Sequence, residues 1–139
     1  MWGRIGSEFY LLKRIKEHLD LPGTMAAIEQ TTRQFPQAII KLIEDKANGP
    51  AVIQMLNKKI PGLIPVNPEG GKIARAQAIT PLFEAGNVYL PDPSIDPGID
   101  DYINELLAFP KGAHDDEVDA TSQALTRFIR ADEPNIRTL

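Results

Sequence analysis

Residues 38–43 read AIIKLI and run straight into Glu44-Asp45. Only Lys41 interrupts the apolar side chains, so the segment lacks the alternation of a strand with one wet face and predicts a strand covered on both faces, the usual condition of a parallel sheet. Downstream, Asn48-Gly49-Pro50 punctuates the chain. A helix over 51–59 with Val52, Met55 and Leu56 inward comes next, and then a short strand, Leu63-Ile64-Pro65-Val66. Upstream, Phe35-Pro36 closes a predicted helix over 25–34 that Thr24 caps after the break Leu21-Pro22-Gly23-Thr24. Further back, SEFYLL over 7–12 is aromatic and β-favouring, and Gly3 and Gly6 imply a turn from a strand over 1–5, so the chain opens in a hairpin. Toward the C-terminus the pattern predicts a helix over 72–84, a strand over 88–90, a proline-rich acidic loop over 91–98, and helices over 99–108 and 114–130. Strands alternating with helices after a hairpin make this an α/β chain.

At 139 residues the length suits a single domain, with the tail from 131 onward expected to be flexible. Hydrophobic residues make up 42%, enough for a core. With no cysteine, disulfides, thiolate zinc sites and cysteine nucleophiles are excluded, and any metal must bind through oxygen or histidine. No apolar run reaches the roughly 18 residues of a membrane span, and the N-terminus has no signal-peptide pattern, so the expectation is a soluble, intracellular protein with no membrane partner. The net charge of −4 argues against nucleic-acid binding by overall positive charge. The distribution is uneven: no Lys or Arg occurs between Ala76 and Pro110, whereas Lys58, Lys59, Lys72 and Arg75 are bunched near the middle.

Two acidic groups stand apart. Glu44-Asp45 follows the apolar strand, where open α/β sheets bind ligands outside strand carboxyl ends; a solvated acidic turn reads equally well. The second is His114-Asp115-Asp116-Glu117-Val118-Asp119. At about 100° per residue, Val118, Ser122, Leu125 and Ile129 share one stripe, Asp115, Asp119 and Asp116 line one flank, and Glu117 falls on the other. Like charges at these spacings repel, so a divalent cation would favour the cluster; an acidic first turn with Asp115 or Asp116 as cap is the plainer alternative. Oxygen ligands with one histidine nearby suit Mg²⁺ or Mn²⁺, and two such ions about 4 Å apart would support phosphodiester hydrolysis without a covalent nucleophile. His114 would orient the attacking water or the scissile phosphate, or else serve as a cap or a salt-bridged surface residue.

WGRIGSEFYLL, LIEDKANGPAVIQML, PVNPEGGKIARAQAITPLFEAGNVYLP and ELLAFPKGAHDDEVDATSQAL, in that order, resemble the C-terminal nuclease domain of tailed-phage terminase large subunits over nearly the whole chain. The resemblance implies an RNase H-like fold, a mixed sheet flanked by helices, whose acidic centre binds two Mg²⁺ or Mn²⁺ ions and cuts concatemeric phage DNA during packaging. It implies that Glu44, Asp115, Asp116 and Asp119 are the catalytic metal ligands; Asp116 and Asp119 also match the DxxDA spacing of Holliday-junction resolvases and rank above Asp115. Lys72 and Arg75, with Lys46, are read as contacts to phosphate in double-stranded DNA. The implied partners are the terminase small subunit, the portal and the ATPase motor domain, in the cytoplasm of a bacterial host. Family nuclease domains open with an aspartate-bearing strand upstream of the segment matching Trp2-Gly3, so the expectation is an N-terminally truncated domain lacking its first metal ligand. The alternative function is accordingly a catalytically inactive prophage remnant that keeps the fold and self-associates through an exposed sheet edge or binds DNA weakly.

Overall fold

The computed structural model describes residues 1–131. In chain order these form β1 (Trp2–Ile5), β2 (Glu8–Leu11), α1 (Leu21–Gln34), β3 (Lys41–Glu44), α2 (Gly49–Leu56), β4 (Leu63–Val66), α3 (Lys72–Glu84), β5 (Val88–Tyr89), α4 (Ile99–Ala108) and α5 (Asp116–Ala131). Beyond Ala131, which ends α5, the expected flexible tail lies outside the described residues. The chain divides into two compact units: residues 1–15 with those from Gly70 onward, and residues 16–69.

The first unit contains a three-stranded mixed sheet in the order β1-β2-β5. The opening hairpin forms as expected: β1 and β2 pair antiparallel, Trp2 opposite Leu11 and Ile5 opposite Glu8. β2 then pairs parallel with β5, Phe9 beside Val88. Alternation along β2 explains the layering. Phe9 and Leu11 point to one face and are buried: Phe9 clusters with Ile79 of α3 and Leu125 of α5, and Leu11 with Ile99 and Tyr102 of α4. Trp2 packs against both clusters. On the opposite face Tyr10 stacks on Tyr89 at 4.9 Å between ring centres, and both phenols donate to Glu8.

The second unit is a β3-α2-β4 crossover with α1. β3 and β4 pair parallel, in register from Lys41↔Leu63 to Glu44↔Val66, as the apolar run predicts. The strand begins at Lys41, however, and none of its four residues is buried, while Ile39 and Ile40 ahead of it are exposed. The continuous apolar run therefore marks the strand without being enclosed on both faces. The core here is Val52, Leu56 and Ile60, with Leu21, Met25, Ile28 and Leu63 against it. Helix α1 also starts earlier than the Thr24 cap predicts. Its cap is Asp20, whose carboxylate accepts the Gly23 N–H at 2.8 Å. Pro22 fits the first turn because its missing N–H would have no partner within the helix there. What reads as a chain break is thus the first turn of the helix.

Candidate functional site: the acidic start of helix α5

The start of α5 is assembled from three directions. Asp115 precedes the helix, and its carbonyl accepts the Asp119 N–H at 3.0 Å. From α4, the buried carboxylate of Glu105 accepts the Glu117 N–H at 2.7 Å and, more weakly, the Val118 N–H at 3.4 Å. An anion at a helix N-terminus satisfies otherwise orphaned amides and meets the positive end of the helix dipole. From beyond β2, Arg14 forks onto both oxygens of Glu117 at 2.8 and 3.1 Å and reaches Asp96 at 3.0 Å, its guanidinium lying over the Tyr102 ring at 5.1 Å. Burial would lower the Arg14 pKa, but the hydrogen bonds and charges of Glu117 and Asp96 outweigh it and hold the pKa above its ordinary value. The Tyr102 hydroxyl meets the Thr121 hydroxyl at 2.8 Å, tying α4 to α5 one turn further along.

Glu117, set apart on the helical projection, is therefore a structural residue facing Arg14. The buried face of α5 is Val118, Asp119, Thr121, Ser122 and Leu125; Ile129, expected on the apolar stripe, is exposed. Asp119 is only 8% exposed, so it sits at the edge of the core and not on a solvated flank. Asp115 is half-buried and Asp116 exposed.

Helix α3 supplies the compensating charges. Arg75 donates from Nη2 at 2.5 Å and from Nε at 3.1 Å to the same Asp119 oxygen, and from Nη1 to the Gly70 carbonyl at 2.6 Å. Lys72 donates to Asp115 at 2.7 Å. That hydrogen bond raises the Lys72 pKa, desolvation opposes it, and the charges of Asp115, Asp119 and Asp116 add to the rise. The mutual repulsion of the aspartates is thus offset within the chain. Asp116 and His114 are exposed, and neither side chain makes a hydrogen bond or ion pair among the described residues.

Glu44, in the other unit, ends β3, where the Asp45 N–H continues the ladder to the Val66 carbonyl at 2.8 Å. Lys46 lies 3.1 Å from the Glu44 carboxylate. The turn after the strand is tight: Ala47 adopts φ 48°, and a Cβ on Gly49 would stand 1.8 Å from the Glu44 carbonyl oxygen. The Asn-Gly pair therefore serves close backbone approach as well as helix initiation.

The donor set suits a hard divalent cation, being carboxylate oxygen without thiolate. Among the described residues, no three histidine or acidic side chains are arranged to hold one, and Arg75 and Lys72 occupy two of the aspartates. Sequence reasoning missed Glu105 and Arg14. The signal for Glu105 was present: it follows Ile99 and Tyr102 at a spacing of three along α4, and a carboxylate in that series requires a buried partner.

No helix of the described residues is long and apolar enough to cross a membrane. No curated protein and no solved structure matches the chain. The profile of the terminase RNaseH-like domain family matches residues 1–128, which takes in the opening hairpin, the β3-α2-β4 crossover and the acidic start of α5. The chain thus belongs to the terminase RNaseH-like domain family, as a small α/β domain of RNase H-like type matching a C-terminal terminase nuclease domain.

Proposed function

We propose that this chain is the metal-dependent DNA endonuclease domain of a phage terminase large subunit, cutting concatemeric viral DNA during packaging. Family membership supports a terminase nuclease-type role, and domains of this family generally use divalent metals. The observation that carries the finer reading is the cluster of Asp115, Asp116 and Asp119 at the start of one helix, with Asp119 almost buried. Asp116 and Asp119 are the principal ligands, with Asp115 beside them; Glu44, at the end of β3, is the further acid that the resemblance implies. Mg²⁺ or Mn²⁺ held by such carboxylates would activate a water and stabilise the leaving oxygen.

The remaining work falls to the chain's own groups. Arg75, Lys72 and Lys46 hold phosphate oxygens of double-stranded DNA without reading bases. His114, exposed at the entry to α5, orients the water or the scissile phosphate. Glu105 and Arg14 keep the first turn of α5 rigid, so that its acids present a fixed geometry. The ATPase motor, small subunit and portal are the partners this role requires, and the host cytoplasm is its place.

The test is plasmid cleavage in Mn²⁺ by the intact chain and by Asp116→Ala. Cleavage by the former and an uncut plasmid with the latter support the reading. Equal cleavage by both would remove Asp116 from the site. An uncut plasmid with the intact chain would leave the remnant function, in which the fold persists without catalysis.

A further inference from the structure

The two strands of the second unit's sheet have unlike outer edges. Backbone groups of successive strand residues face alternate sides, and the Lys41 and Asp45 N–H groups bond the Gly62 and Val66 carbonyls on the β4 side. Leu42 and Glu44 therefore turn their N–H and C=O groups outward, where no strand among the described residues pairs with them. On β4 the outward position opposite Ile43 is held by Pro65, which has no N–H to offer. A proline on an edge stops further strands from adding there. The sheet thus has one blocked edge and one open edge. Two parallel strands are also the least that a sheet can have, and so small a sheet gains stability from further strands.

The open edge is complementary to itself. If two copies of β3 run antiparallel, outward-facing residues must meet outward-facing residues to exchange hydrogen bonds. One such register sets Leu42 opposite Glu44, Ile43 opposite itself, and Lys41 opposite Asp45 twice over. Shifts of two residues lose both Lys–Asp pairs, and one of them sets Glu44 against Glu44. Opposite charges facing each other across strands attract, and like charges repel. Both side chains have capacity for the contact. Asp45 is exposed, and its carboxylate makes no hydrogen bond or ion pair among the described residues. The Lys41 amine donates to the Ile39 and Pro61 carbonyls at 3.4 and 3.1 Å, which leaves its third donor. Ile39 and Ile40, which lead into β3, are 74% and 47% exposed and gain cover from a strand laid beside them.

We propose that the open edge of β3 is an interface between two copies of this chain, joined antiparallel about a two-fold axis at Ile43 into one four-stranded sheet, β4-β3-β3-β4. Each copy offers the same edge to the other, so the contact closes on itself. Pro65 ends the sheet on both outer sides, and association therefore stops at the dimer. Pairing through β3 requires neither metal nor DNA, so it stands whether or not the chain is a nuclease.

The measurement is sedimentation of the full chain in EDTA over about 1–200 μM, the range in which modest interfaces assemble. The intact chain should pass from monomer to dimer as concentration rises, with no larger species. Asp45→Lys sets lysine against lysine at both ends of the contact and should weaken dimerisation by about tenfold or more. Adding Lys41→Asp to it restores opposite charges and should bring dimerisation back to within about threefold of the parent. The chain has no cysteine, so a single introduced thiol reports the register. Residues directly opposite in a pair without hydrogen bonds have Cα atoms about 4.5 Å apart, within disulfide reach, so Ile43→Cys should cross-link on oxidation. Asp45→Cys, whose two copies would lie about 13 Å apart along the strands, should not. A monomer throughout the range overturns the proposal. So does a dimer that Asp45→Lys leaves intact, a charge exchange that fails to restore association, or a dimer in which Ile43→Cys does not cross-link.

Discussion

Replacing Glu105 with alanine tests how the candidate site is held in place. The Glu105 carboxylate is 6% exposed and accepts two backbone N–H groups from the first turn of α5, Glu117 at 2.7 Å and Val118 at 3.4 Å. The first is a charge-assisted bond to a helix N-terminus, worth about 1.5–3 kcal/mol when its loss strands the donor. The second, at the limit of hydrogen-bond length, adds little. Truncation also removes side-chain volume from a buried position, so Glu105→Ala should cost about 3 kcal/mol in all. Glu105→Gln retains an acceptor oxygen but not the charge and should cost about half as much. Trp2 is the sole tryptophan and packs against both hydrophobic clusters of the first unit, so its fluorescence follows unfolding of that unit in urea. With a slope of about 2 kcal/mol per molar urea, the alanine variant's midpoint should fall by about 1.5 M and the glutamine variant's by about half that, with slopes unchanged. A loss below about 0.5 kcal/mol for the alanine variant, the scale of an ordinary surface substitution, would refute the cap. Equal losses in the two variants would show that charge, not shape, is what Glu105 contributes.

Two other outcomes are set by packing and burial. Gly49→Ala would drive a Cβ into the Glu44 carbonyl, so β3 and α2 must separate; a loss of about 1–3 kcal/mol should appear as faster hydrogen exchange of the β3 amides, and unchanged exchange would refute the close approach. The Tyr102 phenol is pushed by burial from its ordinary value of 10 up to about 12. The folded state therefore keeps its proton where the unfolded chain has lost it. Stability from this group is complete below pH 10, declines as pH rises, and is lost by about 12, a change on the order of 2–3 kcal/mol. Urea midpoints measured across that range should fall more steeply for the parent than for Tyr102→Phe, and parallel curves would contradict the assignment.

Much of the fold was legible because its signals are local. The hairpin announced itself through Gly3, Gly6 and the aromatic, β-favouring SEFYLL, and α3 and α4 were bounded as predicted, Lys72–Glu84 and Ile99–Ala108. The errors also have local causes. Leu21-Pro22-Gly23 carries breaker residues, yet Asp20 turns them into a helix start by accepting the Gly23 amide. His114 and Asp115 fit the helical spacing of residues 116–130 but lie outside α5, which Glu105 caps from another helix.

The sequence by itself determined the order of elements, the α/β class, the terminase resemblance and which acids are candidates, because strand and helix periods and motif spacings are written in neighbouring residues. Only the tertiary structure decided which charges meet. Arg14 and Glu117 are 103 positions apart and Arg75 and Asp119 are 44 apart, and no local pattern links them. Their pairing depends on how α3, α4 and α5 turn their faces over Phe9 and Leu11. A carboxylate's need for a partner is set by its burial, and burial belongs to the packed chain.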